Sequence, residues 1–231
     1  MARRKIFTFL LDRYFAGTSP NGRRILDVGC GTGTMLKYLE RYGSAEGIDF
    51  DAEAIEYCRG RGLTNVKQAS AENLPFSSES FDLVTALDVI EHTDDDVGVL
   101  REIARVLRPN GALLMTVPAY KFLWGQQDEI SAHRRRYVAS QMRDRLGAAG
   151  FMVRRLSYFN AALFPAIAFV RLMRRFRPRP RKLESDFRFP APRPVNSALA
   201  AVFGAERFLL NRVELPFGVS ILALAVKPAR E

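Results

Sequence analysis

The stretch that decides the fold is "LDVGCGTG", residues 26–33. Its first residues belong to the short strand-like run "RRILDVG" (23–29), and it precedes "TMLKYLERYG", in which Met35, Leu36 and Leu39 recur on one helical face. A glycine-rich turn between a strand and a helix lets a ligand approach the backbone, and the helix start offers unpaired N–H groups. The sequence therefore predicts a ligand-binding turn at the end of the first strand.

The chain downstream and upstream of this turn alternates between strand and helix patterns. Predicted strands lie at 23–29, 44–49, 64–70, 81–87, 112–117, 151–159 and 218–228, and predicted helices at 34–43, 51–62, 93–107 and 139–150. Strands separated by helices in this order indicate an α/β fold with a mostly parallel sheet and helices on both faces. Residues 108–111, "RPNG", are predicted to be a turn before the fifth strand.

We expect one domain spanning 1–231, with three additions to the alternating pattern. Residues 1–20 predict a basic amphipathic helix. Residues 119–138 form a polar and aromatic insertion after the fifth strand. Residues 160–216 form a basic, apolar insertion between the last two strands, longer than a compact sheet needs for that connection.

Charge and cysteine content narrow the classes of function. The net charge is +10, and the whole excess lies in residues 151–231, which suggests an anionic partner for that part. The two cysteines, Cys30 and Cys58, have no metal-binding spacing and read as free thiols. The apolar run 6–11 is shorter than a signal-peptide core, so we expect a cytoplasmic protein.

Two carboxylates favour a particular kind of ligand at the glycine turn. Asp27 precedes Gly29 by two positions, where it would repel a pyrophosphate but suit a cationic amino group. Asp49 ends the second predicted strand, where acids of doubly wound folds accept hydrogen bonds from ribose hydroxyls. The turn alone is weak evidence, because dinucleotide-binding proteins use a related one.

Five segments, in order and at the usual spacing, resemble the class I S-adenosylmethionine-dependent methyltransferases, particularly the type 11/12 group. They are "LDVGCGTG", "GID", "AENLPF" (71–76), "FDLVTALDVIEH" (81–92) and "RVLRPNGALL" (105–114). The resemblance implies a Rossmann-like, seven-stranded sheet and S-adenosyl-L-methionine as cofactor.

By this resemblance, the cofactor contacts can be assigned along the chain. The methionine part would meet Asp27 and glycines 29, 31 and 33. Asp49 and the adjacent Phe50 would meet the ribose side, Ala71 and Glu72 would flank the adenine, and Leu87 and Asp88 would line the floor near the methyl group. The cofactor-binding set is Asp27, Gly29, Gly31, Gly33, Asp49, Phe50, Ala71, Glu72, Leu87 and Asp88. Ser70 departs from the acid that this group often has there.

His92 is the first candidate catalytic residue. It follows the fourth strand at the edge where open α/β sheets bind ligands, and an imidazole can act as a general base near neutral pH. Alternatively, His92 packs against the cofactor or caps the next helix. Asp94, Asp95 and Asp96 read as helix-start acids, and since no histidine cluster accompanies them we expect no metal.

The insertion "LWGQQDEISAHRRRY" (123–137) leaves the same edge of the sheet. We expect His133 and Tyr137 to be catalytic, and Arg135 with Arg136 to clamp a phosphate or carboxylate. Alternatively, Asp128 pairs with one arginine, Tyr137 packs and the rest is solvated. The candidate acceptor-binding set is Trp124, Asp128, Arg135, Arg136, Tyr158 and Asn160.

This insertion, together with "YFNAALFP" (158–165) and "LPFGVSILALAVKP" (215–228), resembles a bacterial subset of these methyltransferases. The resemblance implies a role in cell-envelope or lipid-linked saccharide pathways.

The apolar segment 161–170 and the arginines that follow it suggest contact with an anionic membrane surface. The segment is too short to span a bilayer, which needs about 20 residues. Alternatively it is a lid over the acceptor or a dimer face, and the oligomeric state stays open. Nucleic acid is disfavoured, because the aromatics lie in aliphatic runs and not as stacking platforms.

We therefore predict methyl transfer to oxygen or nitrogen of a hydrophobic or lipid-linked acceptor, at the inner face of a membrane. The alternatives are a methyltransferase of a soluble small metabolite, and a scaffold subunit that binds the cofactor without catalysis.

Overall fold

A computed structural model describes residues 2–175, 193–210 and 212–229. Within these ranges the chain forms a seven-stranded sheet of order β3-β2-β1-β4-β5-β7-β6. The strands are β1 (Arg24–Val28), β2 (Ser44–Asp49), β3 (Val66–Gln68), β4 (Phe81–Leu87), β5 (Leu107–Pro118), β6 (Met152–Phe159) and β7 (Ser220–Val226). The helices are α1 (Ala2–Tyr14), α2 (Leu36–Leu39), α3 (Ala52–Gly60), α4 (Asp96–Val106), α5 (Gln126–Ile130), α6 (Ala139–Ala148), α7 (Phe164–Arg175) and α8 (Arg193–Leu210).

The predicted α/β fold with a mostly parallel, seven-stranded sheet is confirmed. Strands β1 to β5 pair in parallel, and β7 lies antiparallel between β5 and β6. The strand order reverses between β1 and β4, so the loops that leave their carboxyl ends diverge and open a crevice there. The glycine turn, Asp49 and the segment after β4 all lie at this edge.

The apolar side chains form a core on each face of the sheet. One face carries α4 and α6, with buried residues that include Leu100, Ile103 and Leu146. The other carries α1, α2 and α3, with buried residues that include Leu11 and Ile55. Each amphipathic helix thus buries its apolar stripe against a sheet that is apolar on both faces.

Several predicted ends differ from the structure by a few residues, and two predicted elements differ in kind or length. The helix predicted at 34–43 is shorter, because turns of the glycine loop continue to Met35 and the helix passes into a 3₁₀ turn at Glu40–Tyr42. The turn predicted at 108–111 lies inside β5. Phe81 of β4 pairs with Leu107, and Leu83 pairs with Ala112. Residues 108–111 of β5 therefore form a bulge opposite β4, and Asn110 within it has a positive φ of 63°.

Helix α1 lies within 1–20, where the sequence predicts a basic amphipathic helix. Such a helix can place its apolar side chains on a membrane. The structure instead buries its apolar side chains, with Ile6 and Leu11 at 0% exposure and Phe7 at 3%. The helix packs along α8 and over the sheet, and this apolar face is therefore unavailable to a membrane.

The insertion between β6 and β7 contributes α7 and α8. Residues 176–192 of this insertion lie outside the described residues. Among the helices that the structure describes, none combines the length and apolar character needed to cross a bilayer.

Candidate functional site

The glycine turn has the shape of a ligand cradle. Gly29, Gly31 and Gly33 all adopt positive φ angles, of 70°, 52° and 72°. A Cβ at Gly29 would lie 2.5 Å from Cγ2 of Val89, whereas a Cβ at Gly31 would meet nothing within 4 Å. Gly29 is thus required by packing, and Gly31 leaves open space beside the backbone where a ligand can lie.

Asp27 places a buried carboxylate beneath this turn. It is 3% exposed and lies near the end of β1. The hydroxyl of Thr85 on β4 donates to its Oδ1 over 2.5 Å. Burial raises the pKa of Asp27 to about 7, a shift that the Thr85 hydrogen bond opposes and the charge of Asp49 increases. A cationic amino group held here would favour the ionised form, so the site fits the ammonium of a methionine moiety.

Asp49 ties the glycine turn to the end of β2. The backbone N–H of Gly31 donates to Asp49 Oδ2 over 2.7 Å, and that of Asp51 donates to Oδ1 over 3.0 Å. A carboxylate accepts about four hydrogen bonds, so Asp49 retains capacity for ribose hydroxyls. Phe50 beside it is 79% exposed, which leaves its ring available to a ligand at the crevice.

The predicted adenine-side residues lie next to this carboxylate. The N–H of Ala69 donates to the carbonyl of Asp49, which joins the end of β3 to the end of β2. Ala71 follows, partly buried against the core, and Glu72 is exposed. The chain thus brings Asp49, Ala71 and Glu72 to one side of the crevice.

Leu87 ends β4, partly buried, and Asp88, directly after it, contacts a residue that the sequence reasoning missed. The guanidinium of Arg3 on α1 pairs with Asp88, with Nη1 at 2.6 Å from Oδ2. Arg3 and the Thr116 hydroxyl both donate to Asp88 Oδ1. Asp88 has a φ of 58°, and its carboxylate is fixed between α1 and β5. No local pattern could have identified Arg3, because it lies 85 positions from Asp88.

Both histidines of the chain meet beside Asp88. The rings of His92 and His133 pack edge to face with centroids 4.8 Å apart. Glu91 is 0% exposed, and its Oε1 lies 3.9 Å from Nε2 of His133. Burial, and then the charge of Asp88, raise the pKa of Glu91 well above its usual range. The sequence expectation concerned Asp94, Asp95 and Asp96, whereas the histidines meet at Glu91, because the insertion folds His133 back onto the turn after β4.

Asp128 and Arg136 hold His133 in place and are not free to bind an acceptor. Asp128 is completely buried, accepts from Nδ1 of His133 over 2.9 Å, and pairs with Arg136 Nε at 2.7 Å. The same guanidinium donates to the carbonyl of Ala119. These contacts lower the pKa of Asp128 to about 2 against the opposing effect of burial. The expectation that Asp128 and Arg136 bind the acceptor is therefore corrected.

Arg135 and Tyr137 also have internal partners. Arg135 pairs with Asp96 and donates to the carbonyls of Thr93 and Asp94 at the start of α4. Tyr137 is 1% exposed and its hydroxyl donates to Asp96 Oδ2 over 2.9 Å. Arg135 thus fastens the insertion to α4 instead of clamping an anion, and Tyr137 packs in the core instead of acting in catalysis.

An aromatic cluster at the carboxyl ends of β5 and β6 was only partly anticipated. Tyr120 and Tyr158 stack with centroids 4.9 Å apart and an angle of 6°. The cluster consists of Tyr120, Phe122, Tyr158, Phe164 and Phe217. The sequence signal that could have found it is the aromatic spacing in "AYKFLW" directly after the fifth strand.

The remaining predicted acceptor residues flank this cluster along the chain. Trp124 is partly buried after the 3₁₀ turn Lys121–Leu123. Asn160 follows β6 with a φ of 62°, and among the described residues its side-chain oxygen is buried without a hydrogen-bond partner.

Comparison with known proteins finds similarity to methyltransferases. Residues 26–115 match the family described as "Methyltransferase domain". The ubiquinone biosynthesis O-methyltransferase of Aeromonas salmonicida (strain A449) is 29% identical over 156 residues, 59% of this chain and 66% of that protein. The phthiotriol/phenolphthiotriol dimycocerosates methyltransferase 1 of Mycobacterium ulcerans (strain Agy99) is 40% identical over 103 residues, 42% of this chain and 38% of that protein. The matches thus span less than two thirds of either relative.

Solved structures share the fold. The phosphoethanolamine N-methyltransferase 2 of Haemonchus contortus, in complex with S-adenosyl-L-methionine, aligns with a TM-score of 0.62 at 19% identity, over 98% of this chain and 52% of that one. This likeness shows the fold, and together with the domain match and the methyltransferase relatives it supports a class I S-adenosylmethionine-dependent methyltransferase with S-adenosyl-L-methionine as cofactor.

Proposed function

We propose that the protein transfers a methyl group from S-adenosyl-L-methionine to an oxygen or nitrogen of a hydrophobic or lipid-linked acceptor. The observation that carries this proposal is the aromatic cluster of Tyr120, Phe122, Tyr158, Phe164 and Phe217. The cluster starts two residues after β5, the neighbour of β4, and Asp88 directly follows β4. Apolar walls with a few placed polar groups are typical of sites for hydrophobic ligands. The relatives named for ubiquinone biosynthesis and for phthiotriol dimycocerosates support an acceptor of this kind.

The chain's own residues would hold the cofactor in three places. Asp27 would pair with the amino group, Gly31 would let the methionine part lie against the backbone, and Asp49 would accept from the ribose. When bound, the cofactor supplies a methyl group already activated on a positively charged sulfur. The protein then has to align the acceptor with that methyl group and exclude water.

The acceptor atom would approach from the side of Asp88 on which His92 and His133 meet. Arg3 and the first turn of α1 cover the Asp88 side of this space, and the aromatic cluster would cover the acceptor. Trp124, Tyr158 and Asn160 are the proposed acceptor contacts. The hydroxyl of Tyr158 accepts from the N–H of Ala139 and retains its own proton to donate, while the unpartnered amide oxygen of Asn160 can accept.

The test is an incubation with methyl-labelled S-adenosyl-L-methionine and extract of a host cell, followed by separation of lipid and aqueous fractions. We expect the label to appear in the lipid fraction. The Asp49→Ala variant should lose this labelling, because its affinity for the cofactor falls. The Glu129→Gln variant, changed on the exposed side of α5, should retain it. Label in a soluble metabolite would favour the alternative acceptor class. Cofactor binding without transfer to any fraction would favour a scaffold subunit.

We also propose that the protein works at the cytoplasmic face of a membrane, with α7 as the contact. Phe169 is 64% exposed on this helix, and Val170, Leu172 and Met173 are exposed beside it. Phe164 at the start of the same helix belongs to the aromatic cluster. A helix that touches both the acceptor wall and the bilayer interface would let a lipid-linked acceptor reach the site without entering water.

A further inference from the structure

We propose that Glu91, His92 and His133 bind one divalent transition-metal ion. One ligand atom from each residue lies within 4.8 Å of the others. The two histidines come from different elements, His92 from the 3₁₀ turn after β4 and His133 from the insertion after β5. They are the chain's only histidines, and the fold brings both to the same carboxylate.

The side chain of Glu91 points to a ligand independently of this geometry. It is 0% exposed, and within the described ranges neither of its carboxylate oxygens has a hydrogen-bond partner. Removing a carboxylate from water without compensation is costly, so buried carboxylates are normally paired or coordinate a metal. A cation between Glu91 and the two imidazoles would supply the missing partner.

His133 is oriented as metal-ligating histidines usually are. Its Nδ1 donates to Asp128, which leaves Nε2 facing Glu91 Oε1 at 3.9 Å. A carboxylate that receives the other ring N–H fixes the tautomer and strengthens the ligating nitrogen. Asp128 is itself fixed by Arg136 and by the N–H of Gly125, so the orientation is built into the fold.

The donor set selects the class of ion. Two imidazoles and one carboxylate suit Zn²⁺, Co²⁺ and neighbouring first-row ions, whereas Mg²⁺ and Ca²⁺ prefer sites made of oxygen ligands. Three protein ligands leave a coordination position for an exchangeable group, as in catalytic zinc sites.

A role for this ion in catalysis rests on the proposed methyl transfer. An acceptor hydroxyl at the exchangeable position would lose its proton to water, because coordination lowers the pKa of the hydroxyl. A lone pair of that oxygen would form the new O–C bond while the S–C bond of the sulfonium breaks, leaving a neutral thioether.

The binding test uses the full chain without a polyhistidine tag, treated with chelator and titrated with Co²⁺ while visible absorption is recorded. We expect saturation at one equivalent. Glu91→Gln and His133→Ala should lose the signal, and Asp128→Asn should weaken affinity by about 10- to 100-fold. Glu129→Gln removes the neighbouring exposed carboxylate and should bind Co²⁺ like the unmodified chain.

Retained S-adenosyl-L-methionine binding by each variant would show that it is folded. If the double variant His92→Ala/His133→Ala binds Co²⁺ as well as the unmodified chain does, the proposed metal site is wrong. A second measurement compares methyl transfer by the chelated protein with and without added Zn²⁺. Equal rates of methyl transfer with and without Zn²⁺ would overturn the catalytic role of the ion, whereas the Co²⁺ titration tests whether the binding site exists. Methyl transfer by a protein that binds no Co²⁺ would leave the proposed function intact and would show that the metal site is wrong.

Discussion

Asp27 shows how a single residue couples cofactor binding to stability. Burial raises its pKa in the folded protein to about 7, from an ordinary value of 3.8. Between these two values the unfolded chain has already released the proton that the folded chain retains, so stability falls as pH rises from about 4 to about 7. The buried anion is therefore a stability cost near neutral pH that the cofactor's ammonium would offset.

Above pH 7 we expect Asp27→Asn to have a higher melting temperature than the unmodified protein. Near pH 4 the two melting temperatures should be equal. The variant should also bind the cofactor more weakly. Each unit of pKa shift corresponds to about 1.4 kcal/mol, so the gain is on the order of a few kcal/mol. Thermal unfolding across this pH range measures it, with the exposed Asp144→Asn as control. A stability difference that does not change with pH would contradict the assignment.

At the scale of elements, α1 belongs to the folded core and also reaches the site. Its Leu11 is 0% exposed, and its Arg3 pairs with Asp88 at the far end of the helix. Truncating a fully buried leucine removes apolar contacts and leaves a cavity. The packing of α1 should therefore contribute to global stability and not only cover the surface.

We expect Leu11→Ala to lower the free energy of unfolding by about 2–5 kcal/mol. The exposed Arg13→Ala on the same helix should stay within about 0.5 kcal/mol. Urea unfolding followed by circular dichroism measures both changes. Equal effects of the two substitutions would mean that α1 detaches before the sheet unfolds.

At the scale of the whole molecule, positive charge and exposed apolar surface fall in the same region. The neutral first 150 residues contain the predicted cofactor contacts, while the +10 excess lies beyond them. Helix α7 belongs to this basic part and exposes Phe169, Val170, Leu172 and Met173. Such a surface should prefer anionic bilayers, and salt should weaken the electrostatic share of the binding.

We expect the protein to co-sediment with anionic vesicles more than with zwitterionic ones at moderate salt. The double substitution Phe169→Ser/Met173→Ser should reduce this binding, whereas Ile130→Ser, at an exposed apolar residue of α5, should not. Equal sedimentation with both vesicle types, or none, would show that the membrane proposal is wrong.

Local patterns were sufficient to predict most of the sheet. The strand at 81–87 and the end of β2 at Asp49 match their predicted positions, because apolar runs and glycine turns encode strands and their ends locally. The adjacency of Asp27 and the glycine turn could also be read directly, since these residues lie within one short segment. The helix at 34–43 and the turn at 108–111 were less well predicted, because a loop and a bulge depend on what packs beside them.

By itself, then, the sequence determined an α/β methyltransferase fold with its glycine turn, its two key carboxylates and the position of its charge. Only the tertiary structure decided that Arg3 meets Asp88, that Arg135 and Arg136 bind internal carboxylates, and that His92 and His133 surround Glu91. Those pairings join residues far apart in the chain. They depend on the strand order and on how the insertion folds back over the sheet, neither of which a local pattern contains.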